Sequence, residues 1–577
     1  MEVSKVVGID LGTSTSEIAY LKDGKPFIIP NLKGNKITPS IVYISDDGEV
    51  KVGEDALSYT VLEPENTVIE VKRLMGTQNS LKLGKKYLKP QEVSCYILKY
   101  LKLCAESYLG EALEEAVITV PAYFTNEQRI ATKEAGELAG FKVERIINEP
   151  TAAALAYGLE HMKDQKYVLV YDFGGGTLDV TVLEMFDGVL DVKASCGNNK
   201  LGGKDFDETL INKLTSEFEK INGINLEKDR KAMARLKEAT EKVKIELSSK
   251  EHTLVDLPFL ASKDGKPYGI YRSIARSEFE DLIGDMVRST ITQIDSALAD
   301  AKLTPQEIDT ILLIGGSTRI PLVKNTLKDK FTREPKHEIN PDEAVALGAA
   351  IQAGIMMGQF SEANDIILTD VCPYTLGIEC VKEVLGINMP GMLDVLIKRN
   401  TTIPASVNQI YRTFVDNQQK ARINVYQGES VIAYENNLIG NFMIEDIPAA
   451  NAGEEKIDVE FSYDINGIVE VKAKLPSTGN NTSIRIDTRE IKINEEINVE
   501  EGWKKSGRAK KLKSLIRKAE KILARKSIQH GFGEELETLL YELKYALTKN
   551  DDVFINRYED ELTDLLYNAG KRSTDGC

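Results

Sequence analysis

The 577-residue chain has few of the side chains from which disulfide frameworks and zinc sites are built. Its six cysteines are scattered without a Cys-x-x-Cys pair, and it has only four histidines. We therefore expect reduced thiols and neither a structural zinc site nor a disulfide scaffold. The sequence also lacks a signal-peptide pattern and any apolar run of membrane-spanning length, so we expect a cytoplasmic protein without membrane contact.

An excess of positive charge is lacking as well, because the formal net charge is −17. We do not expect such an acidic chain to bind nucleic acid, whose phosphates it would repel. One basic stretch, residues 504–526, has no interleaved aromatic residues for base stacking, and we interpret it as a solvated helix face. The apolar fraction of 42% and the charged fraction of 28% are typical of globular proteins, and the length predicts roughly three or four domains.

Two common phosphate-binding motifs are missing, but another glycine-rich pattern occurs twice. The chain has no Gly-x-x-x-x-Gly-Lys-Ser/Thr, and Gly174-x-Gly176 lacks the third glycine of a dinucleotide fingerprint. Residues 7–21, VGIDLGTSTSEIAYL, are echoed by residues 169–183, LVYDFGGGTLDVTVL. In each copy an apolar strand, an acidic residue and a turn of glycine and hydroxyl residues precede a second strand, which predicts two β-hairpins.

The echo predicts a nucleotide site between two similar lobes. At one constant offset Asp10 matches Asp172, and Glu17 matches Asp179. Facing hairpins would bring their turns together, where exposed backbone N–H groups form an anion cradle and Asp10 and Asp172 hold hydrated Mg²⁺. This combination suits ATP.

The character of the sequence changes along the chain. Residues 1–364 alternate strands with helices and predict an α/β domain. Residues 365–370, DIILTD, form a short apolar stretch without a strand or helix partner of its own, which we interpret as a linker. Residues 371–495 have mostly period-2 sequence, with a two-residue Asn466-Gly467 hairpin turn, and predict a β-sandwich that binds and does not catalyse. Two apolar stripes at helical spacing predict a helical end, residues 496–577.

Eight separated motifs follow one another along the chain: GIDLGTS, VKRLMG, VPAYFTNEQR, IINEPTAAALAYG, YDFGGGTLDV, LGGKDFD, GGSTRIP and INPDEAVALGAA. In these motifs and their order the chain resembles the DnaK family of heat-shock chaperones over nearly its whole length. The short segment between Met75 and Pro90 is similar to the compact bacterial form. The resemblance implies an α/β actin-like ATPase domain of the duplicated ribonuclease-H type, then a peptide-binding β-sandwich, then an α-helical lid.

The activity implied by the resemblance is hydrolysis of ATP to ADP and phosphate, coupled to binding and release of polypeptide. Asp10 and Asp172 would hold Mg²⁺ through water, Lys72 would place charge beside the γ-phosphate, and Glu149 would orient the attacking water. Thr177 joins this catalytic set, and Asp179 is a candidate K⁺ ligand. The implied nucleotide-binding residues are Gly12, Thr13, Ser14, Thr15, Gly174, Gly175, Gly176, Gly202, Gly203, Glu241, Lys244, Ser248, Gly315, Gly316, Ser317, Arg319 and Asp342.

The resemblance also implies relay positions, clients and cochaperones. Pro121, Arg129 and Asp370 match positions that report the nucleotide state to the rest of the molecule. J-domain cochaperones would contact Arg145, Asn148, Thr151 and Asp370. A GrpE-type nucleotide-exchange factor and unfolded or extended polypeptides are the other implied partners of a mostly monomeric protein. The implied peptide-binding positions are Ile378, Val381, Phe414, Ala421 and Ile423.

The departures from the family pattern concern coupling and client binding. The linker has Thr369 where the family has leucine, and the pocket has Ala421 where valine is usual. Val381 and Phe414 occupy the two positions that arch over the peptide, and a longer segment, KEVLGINMPGMLD, follows the first of them. Asn-Asn-Lys at residues 198–200 replaces the usual Asp-Thr-His.

Two other functions remain open from the sequence. One is a sugar kinase of the same superfamily, which would need a sugar pocket with a catalytic aspartate and would leave the β-rich module unexplained. The other is a specialised, weakly catalytic or non-catalytic relative that acts as a scaffold or exchange factor for one client.

Overall fold

The computed structural model describes residues 6–159, 161, 166–336, 338–359, 366–384, 387–479, 481–485 and 503–523, and separate positions between 536 and 566. The chain divides into two compact units, Met1–Thr488 and Arg489–Cys577. The first unit holds two large mixed sheets and a β-sandwich, and the second is helical where it is described.

The first large sheet has the strand order β11-β10-β1-β2-β3, with β4 paired to β2. Short 3₁₀ turns at Pro64–Asn66 and Val71–Leu74 connect its smaller elements. The strands of this region are β1 (Val6–Leu11), β2 (Thr15–Lys22), β3 (Lys25–Ile28), β4 (Thr38–Pro39), β5 (Ile41–Ile44), β6 (Val50–Val52), β7 (Thr67–Ile69), β8 (Leu81–Leu83), β9 (Lys86–Leu88), β10 (Glu115–Val120) and β11 (Lys142–Asn148). The helices are α1 (Glu54–Leu57), α2 (Tyr59–Leu62), α3 (Pro90–Leu109) and α4 (Asn126–Leu138).

The second large sheet has the order β17-β12-β13-β14-β18-β21. Its strands and the neighbouring hairpin are β12 (Lys166–Phe173), β13 (Leu178–Phe186), β14 (Val189–Asn198), β15 (His252–Lys263), β16 (Lys266–Ala275), β17 (Thr310–Ile314), β18 (Ile367–Val371) and β21 (Thr402–Ile403). The helices are α5 (Glu149–Gly158), α6 (Gly203–Asn222), α7 (Arg230–Leu247), α8 (Arg276–Ala301), α9 (Pro321–Phe331) and α10 (Ala344–Met356). The 3₁₀ turns are Leu226–Lys228, Pro305–Glu307 and Gly316–Arg319.

The two large sheets repeat one pattern, as the sequence echo predicts. In the first, β1 pairs antiparallel with β2 and parallel with β10; in the second, β12 pairs antiparallel with β13 and parallel with β17. Helices α5 and α10 contribute to one buried apolar cluster with strands of both sheets, including Leu155, Ile351, Val117 and Val170. The two helices touch where a Cβ on Gly348 would lie 1.7 Å from the Ala152 carbonyl oxygen, so this approach requires glycine.

The β-rich segment forms a sandwich of two four-stranded sheets, ordered β20-β19-β23-β24 and β22-β25-β26-β27. The Asn466-Gly467 hairpin is present, but its turn has three residues, because the Asp464 N–H donates to the Ile468 carbonyl at 3.0 Å. Gly467 in this turn takes φ +69°. The sandwich strands are β19 (Leu376–Val384), β20 (Ile387–Ile397), β22 (Ala405–Arg412), β23 (Ala421–Gln427), β24 (Asn437–Ile444), β25 (Lys456–Tyr463), β26 (Val469–Lys474) and β27 (Asn481–Arg485), with a 3₁₀ turn at Ala433–Glu435.

The expectation that the linker has no strand partner is wrong. Residues 367–371 form β18, which pairs in parallel with β14 through Ile367, Leu368 and Thr369 and antiparallel with β21. The Thr369 hydroxyl also donates to the Asp191 carboxylate at 2.5 Å. A parallel partner far away in the sequence leaves no local signal, which is why a five-residue apolar stretch did not predict this pairing.

In the second unit, a 3₁₀ turn at Trp503–Lys505 precedes α11 (Ala509–Leu523). The two predicted apolar stripes pack into one cluster with Trp503, so the helical periodicity placed the buried side chains correctly. Among the residues that the structure describes, no helix is both long and apolar enough to span a lipid bilayer.

Candidate functional site

The two echoed hairpins have the same construction and their turns touch. Residues 12–15 and 174–177 form the turns, and a Cβ on Gly175 of the second turn would lie 2.4 Å from the Ser14 hydroxyl oxygen of the first. Asp10 lies directly opposite Glu17 across the first hairpin, and Asp172 lies opposite Asp179 across the second. Because directly opposite side chains project from the same face of a sheet, each hairpin presents a pair of carboxyl groups.

The glycine residues predicted for the phosphate site surround the second turn. The Gly203 N–H donates to the Gly174 carbonyl at 3.0 Å, and the Ser317 hydroxyl donates to the same oxygen at 2.8 Å. A Cβ on Gly202 would lie 2.4 Å from the Gly176 nitrogen. In the first turn, the Gly12 carbonyl accepts a 2.9 Å hydrogen bond from the Ser40 hydroxyl. Thr13 is buried, and a Cβ on Gly176 would lie 2.9 Å from its side chain.

Burial raises the pKa of the two matched aspartates. For Asp10 burial and then the negative charge of Glu149 raise the pKa to about 7, against the opposing effects of Lys72 and a 3.0 Å hydrogen bond from the Thr119 hydroxyl. For Asp172 burial, followed by repulsion from Glu149 and other neighbouring carboxylates, raises the pKa well above its usual value. A group of carboxylates in this environment takes up either protons or cations.

The second carboxyl of each pair is more deeply buried. Glu17 is 2% exposed, and burial followed by the charge of Asp10 raises its pKa to about 9. Asp179 is 1% exposed, and burial followed by Glu149 raises its pKa to about 7. Glu17 Oε2 and Asp179 Oδ2 are buried atoms without a hydrogen-bond partner. Within the described part of the chain, no cluster of three or more Asp, Glu, His or Cys side chains is arranged to hold a metal ion by itself.

Lys72 supplies the buried positive charge beside these carboxylates. It lies in the 3₁₀ turn Val71–Leu74, is 5% exposed and forms a close ion pair with Glu149, the first residue of α5. Burial alone would lower the pKa of Lys72, but the charges of Glu149 and Asp10 outweigh it and raise the pKa. The ammonium group is therefore protonated and held in one place.

Other predicted nucleotide-binding residues lie on or next to α7 and after β17, and several already have protein partners. Glu241 and Lys244 lie on α7, and Ser248 follows its last residue. Lys244 Nζ donates to Asp207 at 2.6 Å and to the Gly203 carbonyl at 3.0 Å, and Glu241 pairs with Lys204 at 2.8 Å. On the other side, after β17 and its glycines Gly315 and Gly316, Arg319 pairs with Asp342 at 2.6 Å.

Of the predicted relay residues, Arg129 contacts the sandwich directly. Arg129 is buried; its guanidinium donates to Asn148 Oδ1 at 2.7 Å and to the Asn466 carbonyl at 3.3 Å. Asn466 Oδ1 in turn accepts from the Ile146 N–H at 2.9 Å. Pro121 begins the turn that leads to Arg129, and its carbonyl accepts from the Phe124 N–H at 3.2 Å. The side chain of Asn466 was not predicted to have a role beyond its turn.

The linker aspartate is anchored on α5. Asp370 accepts from the Thr151 hydroxyl at 3.1 Å, and burial raises its pKa against the opposing effects of the Val371 N–H and of Arg129. Arg145 lies near Asp370, and burial lowers the pKa of Arg145.

Further contacts between the sandwich and the α/β part were not foreseen from the sequence. Asp300, at the end of α8, accepts from Arg399 at 2.9 Å and from Asn400 at 2.8 Å. The Tyr374 hydroxyl donates to the Tyr123 carbonyl at 2.8 Å, with the two rings 4.4 Å apart. The Val469 N–H donates to Asn126 at 3.0 Å. These partners are separated by 99 to 343 residues of sequence, so no local pattern predicts them.

The side chains at the predicted peptide-binding positions differ in how exposed they are to solvent. Ile378 and Ile423 are buried in the sandwich core, and Ala421 is half-buried against it. Val381 and Phe414 are 37% and 54% exposed. Apolar side chains that lie partly in the core and partly in solvent are suited to contact with another extended chain.

The structure has two large α/β sheets of the same pairing pattern and a β-sandwich joined to them through the paired strand β18. The family model described as Hsp70 protein matches residues 6–83 and 79–573. The chaperone protein DnaK of Thermotoga neapolitana is 46% identical over 578 residues, covering 96% of this chain and 95% of its own. The chaperone protein DnaK of Thermotoga maritima gives the same identity and shares, and that of Thermosipho melanesiensis is 46% identical over 574 residues, again at 96% and 95%. The chain belongs to the Hsp70 family.

Proposed function

We propose that this protein is an ATP-dependent molecular chaperone that binds extended apolar segments of unfolded polypeptides and changes its affinity for them as it binds and hydrolyses ATP. The observation that carries the proposal is the contact between two matched hairpin turns, each with its own pair of buried carboxyl groups, beside a buried Lys72. The membership of the Hsp70 family, and the name chaperone given to its relatives, support it.

The residues fit ATP with Mg²⁺. Backbone N–H groups of two glycine-rich turns can surround a triphosphate, and the nearby carboxyl groups, whose pKa values are raised, call for a cation. Asp10 and Asp172 would hold Mg²⁺ through water, and the ion would neutralise phosphate charge. We assign K⁺, as a further cation, to Asp179.

Lys72 and Glu149 are proposed to act on the reacting phosphate. The Lys72 ammonium supplies positive charge where negative charge develops on the transferred phosphoryl group. Glu149 fixes that ammonium through the ion pair and can accept a hydrogen bond from the attacking water. Thr177, in the second turn, is proposed to contribute its hydroxyl group to the same site.

Three residues of the short segment 148–151 offer a route from this chemistry to the sandwich. Asn148 accepts from Arg129, which contacts Asn466; Glu149 pairs with Lys72; Thr151 binds Asp370 of the linker strand. A shift of the first turn of α5 on hydrolysis would therefore disturb both the Arg129 contact and the linker. We infer that this segment couples the two activities.

We propose domain limits at residues 1–364 for an actin-like, ribonuclease-H-type ATPase domain, 365–370 for the linker, 371–495 for the sandwich and 496–577 for a helical lid. Ile378, Ala421 and Ile423 would form the client pocket, with Val381 and Phe414 at its edge. A J-domain cochaperone acting near Arg145 and Asp370, a GrpE-type exchange factor, and a cytoplasmic location stay predictions.

The proposal is tested by ATP-triggered release of a fluorescently labelled apolar peptide from the full chain. We expect fast release with Mg²⁺-ATP, peptide-stimulated ATP turnover, and loss of turnover in Lys72→Ala. Lys85→Ala removes an exposed lysine elsewhere and is the matched control. Binding of ATP without any effect on the peptide would contradict the proposal and favour a scaffold.

A further inference from the structure

A half-open cavity of about 500 Å³ lies on the sandwich beside the end of α8. Its wall is formed in part by Leu393 and Val395 of β20. Asp394, which lies between Leu393 and Val395 in β20, is the register partner of Ile378, one of the residues proposed to bind client peptides. Successive residues of a strand point to opposite faces of the sheet. Leu393 also belongs to a small apolar cluster with Tyr426 and Ala433 that is separate from the sandwich core. Leu393 and Val395 therefore face away from Ile378, whereas Met392 shares the face of Asp394, so the cavity lies along β20, the edge strand of the sheet.

The cavity combines an apolar wall with positive charge. Met392, Val395 and Val431 supply apolar surface, and Lys398 and Arg399 line the same space. The Lys398 ammonium group has no hydrogen bond or ion pair with the part of the chain that the structure describes, and only one terminal nitrogen of the Arg399 guanidinium is engaged in a side-chain contact, with Asp300. These donors are free to bind a further negative group.

The two acidic residues of the lining are already engaged. Glu429 accepts from the Thr375 N–H at 2.9 Å and from its hydroxyl at 2.8 Å. Asp300 accepts from Arg399 and Asn400. Neither needs a ligand cation, and both charges act on Arg399. Lys382, also in the lining, pairs with Asp394 at 2.9 Å. Lys398 is therefore the cation of the described lining whose charge is uncompensated. Pockets of this size with an apolar wall and a few polar groups commonly take small organic ligands.

We propose that this cavity is a binding site for a small organic anion, a carboxylate on an apolar body, with the carboxylate between Lys398 and Arg399 and the body against Met392, Val395 and Val431. Asp300, at the end of α8, also lines the cavity; its negative charge repels an anion, and its carboxylate competes with the anion for Arg399. Binding of the anion therefore favours separation of the sandwich from α8. By linkage, contact of the sandwich with α8 weakens anion binding by the same factor. The site is independent of the proposed ATP chemistry.

The probe is octanoate, titrated into the full chain by calorimetry and by methyl NMR of Met392 and Val431, with octanol and octylammonium as neutral and cationic counterparts. We expect binding of octanoate only. Lys398→Glu should weaken it about tenfold, and Asp300→Asn should tighten it several-fold, as expected for charges a few ångströms apart near a surface. Lys474→Ala, which removes an exposed lysine of β26, should change nothing.

Equal affinity for octanol, or no change in Lys398→Glu, would overturn the assignment. Binding that is displaced by an apolar client peptide, or lost in Ile423→Asp, would place octanoate in the client pocket and would also overturn it. ATP-triggered peptide release is measured on the same samples. Its absence would contradict the proposed function while leaving the octanoate result intact.

Discussion

Replacing Glu17 by glutamine tests how much a buried carboxyl group of the candidate site lowers the free energy of unfolding of the protein. The side chain is 2% exposed, lies directly opposite Asp10, and has a buried Oε2 without a hydrogen-bond partner. Burial followed by the charges of Asp10, Glu343 and Asp342 raises its pKa from 4.5 to about 9. Glutamine keeps the size of the side chain and removes the titration.

The sign of the effect follows from proton binding. Between about pH 4.5 and pH 9 the folded protein holds a proton on Glu17 that the unfolded chain has lost, so its contribution lowers stability as the pH rises. From pH 4.5 to about pH 7.5 is about three pH units, each of which lowers the free energy of unfolding by about 1.4 kcal/mol. At about pH 7.5 Glu17 therefore lowers the free energy of unfolding by at most about 4 kcal/mol. Near pH 5 this effect falls below about 1 kcal/mol.

The assay is urea unfolding of the full chain without Mg²⁺ or nucleotide, followed by far-UV circular dichroism. We expect Glu17→Gln to be more stable than the unmodified protein, by a margin that grows from about pH 5.5 to about pH 8.5. Trp503, the chain's single tryptophan, is buried in the second unit. Its fluorescence transition in urea should therefore be the same in Glu17→Gln and in the unmodified protein, which provides an internal control. A stability difference that is the same at all pH values would refute the titration of a buried Glu17.

Three further substitutions test other parts of the structure. Gly175→Ala places a Cβ 2.4 Å from the Ser14 hydroxyl oxygen, so we expect at least about a tenfold loss of ATP affinity, measured by calorimetry, with little change in peptide affinity. Thr369→Val removes the hydroxyl that donates to Asp191 and leaves that carboxylate with Lys193 alone; release of peptide on ATP addition should slow by several-fold, whereas unchanged release would show that the hydrogen bond is not used. Asn466→Ala removes the acceptor of the Ile146 N–H and should uncouple peptide release from ATP while hydrolysis continues; Asn451→Ala, in an exposed loop, is the control.

The sequence predicts local features of this fold well because they depend on short-range patterns. The echoed hairpins, the alternation of the sandwich strands and the apolar stripes around Leu512 and Leu540 all follow from periodicities of two or 3.6 residues. The linker was misjudged for the same reason. The partner of β18 is β14, which lies about 180 residues earlier, and the polar contact of Thr369 with Asp191 cannot be seen until both strands are placed.

The candidate site shows the same limit. The repeated sequence aligns Asp10 with Asp172 and Glu17 with Asp179. It gives no reason to assign a role to Glu17, because a sequence pattern does not show that a side chain is buried or that it has no hydrogen-bond partner. Cross-strand register supplies the reason: a constant offset of seven residues within each hairpin puts the second carboxyl opposite the first. The spacing from Asp10 to Glu17 and from Asp172 to Asp179 was the available signal.

The position of Glu149 gives a physical reason for the coupling that we propose. A residue at the start of a helix has its backbone fixed by the strand before it and by the helix after it, so β11 and α5 hold Asn148, Glu149 and Thr151 as a rigid group. Their side chains point to Arg129, Lys72 and Asp370. A rigid group cannot adjust to one neighbour without moving against the other two. We therefore expect that removing the Glu149 charge that pairs with Lys72 changes both the linker contact of Thr151 and the Arg129 contact with the sandwich.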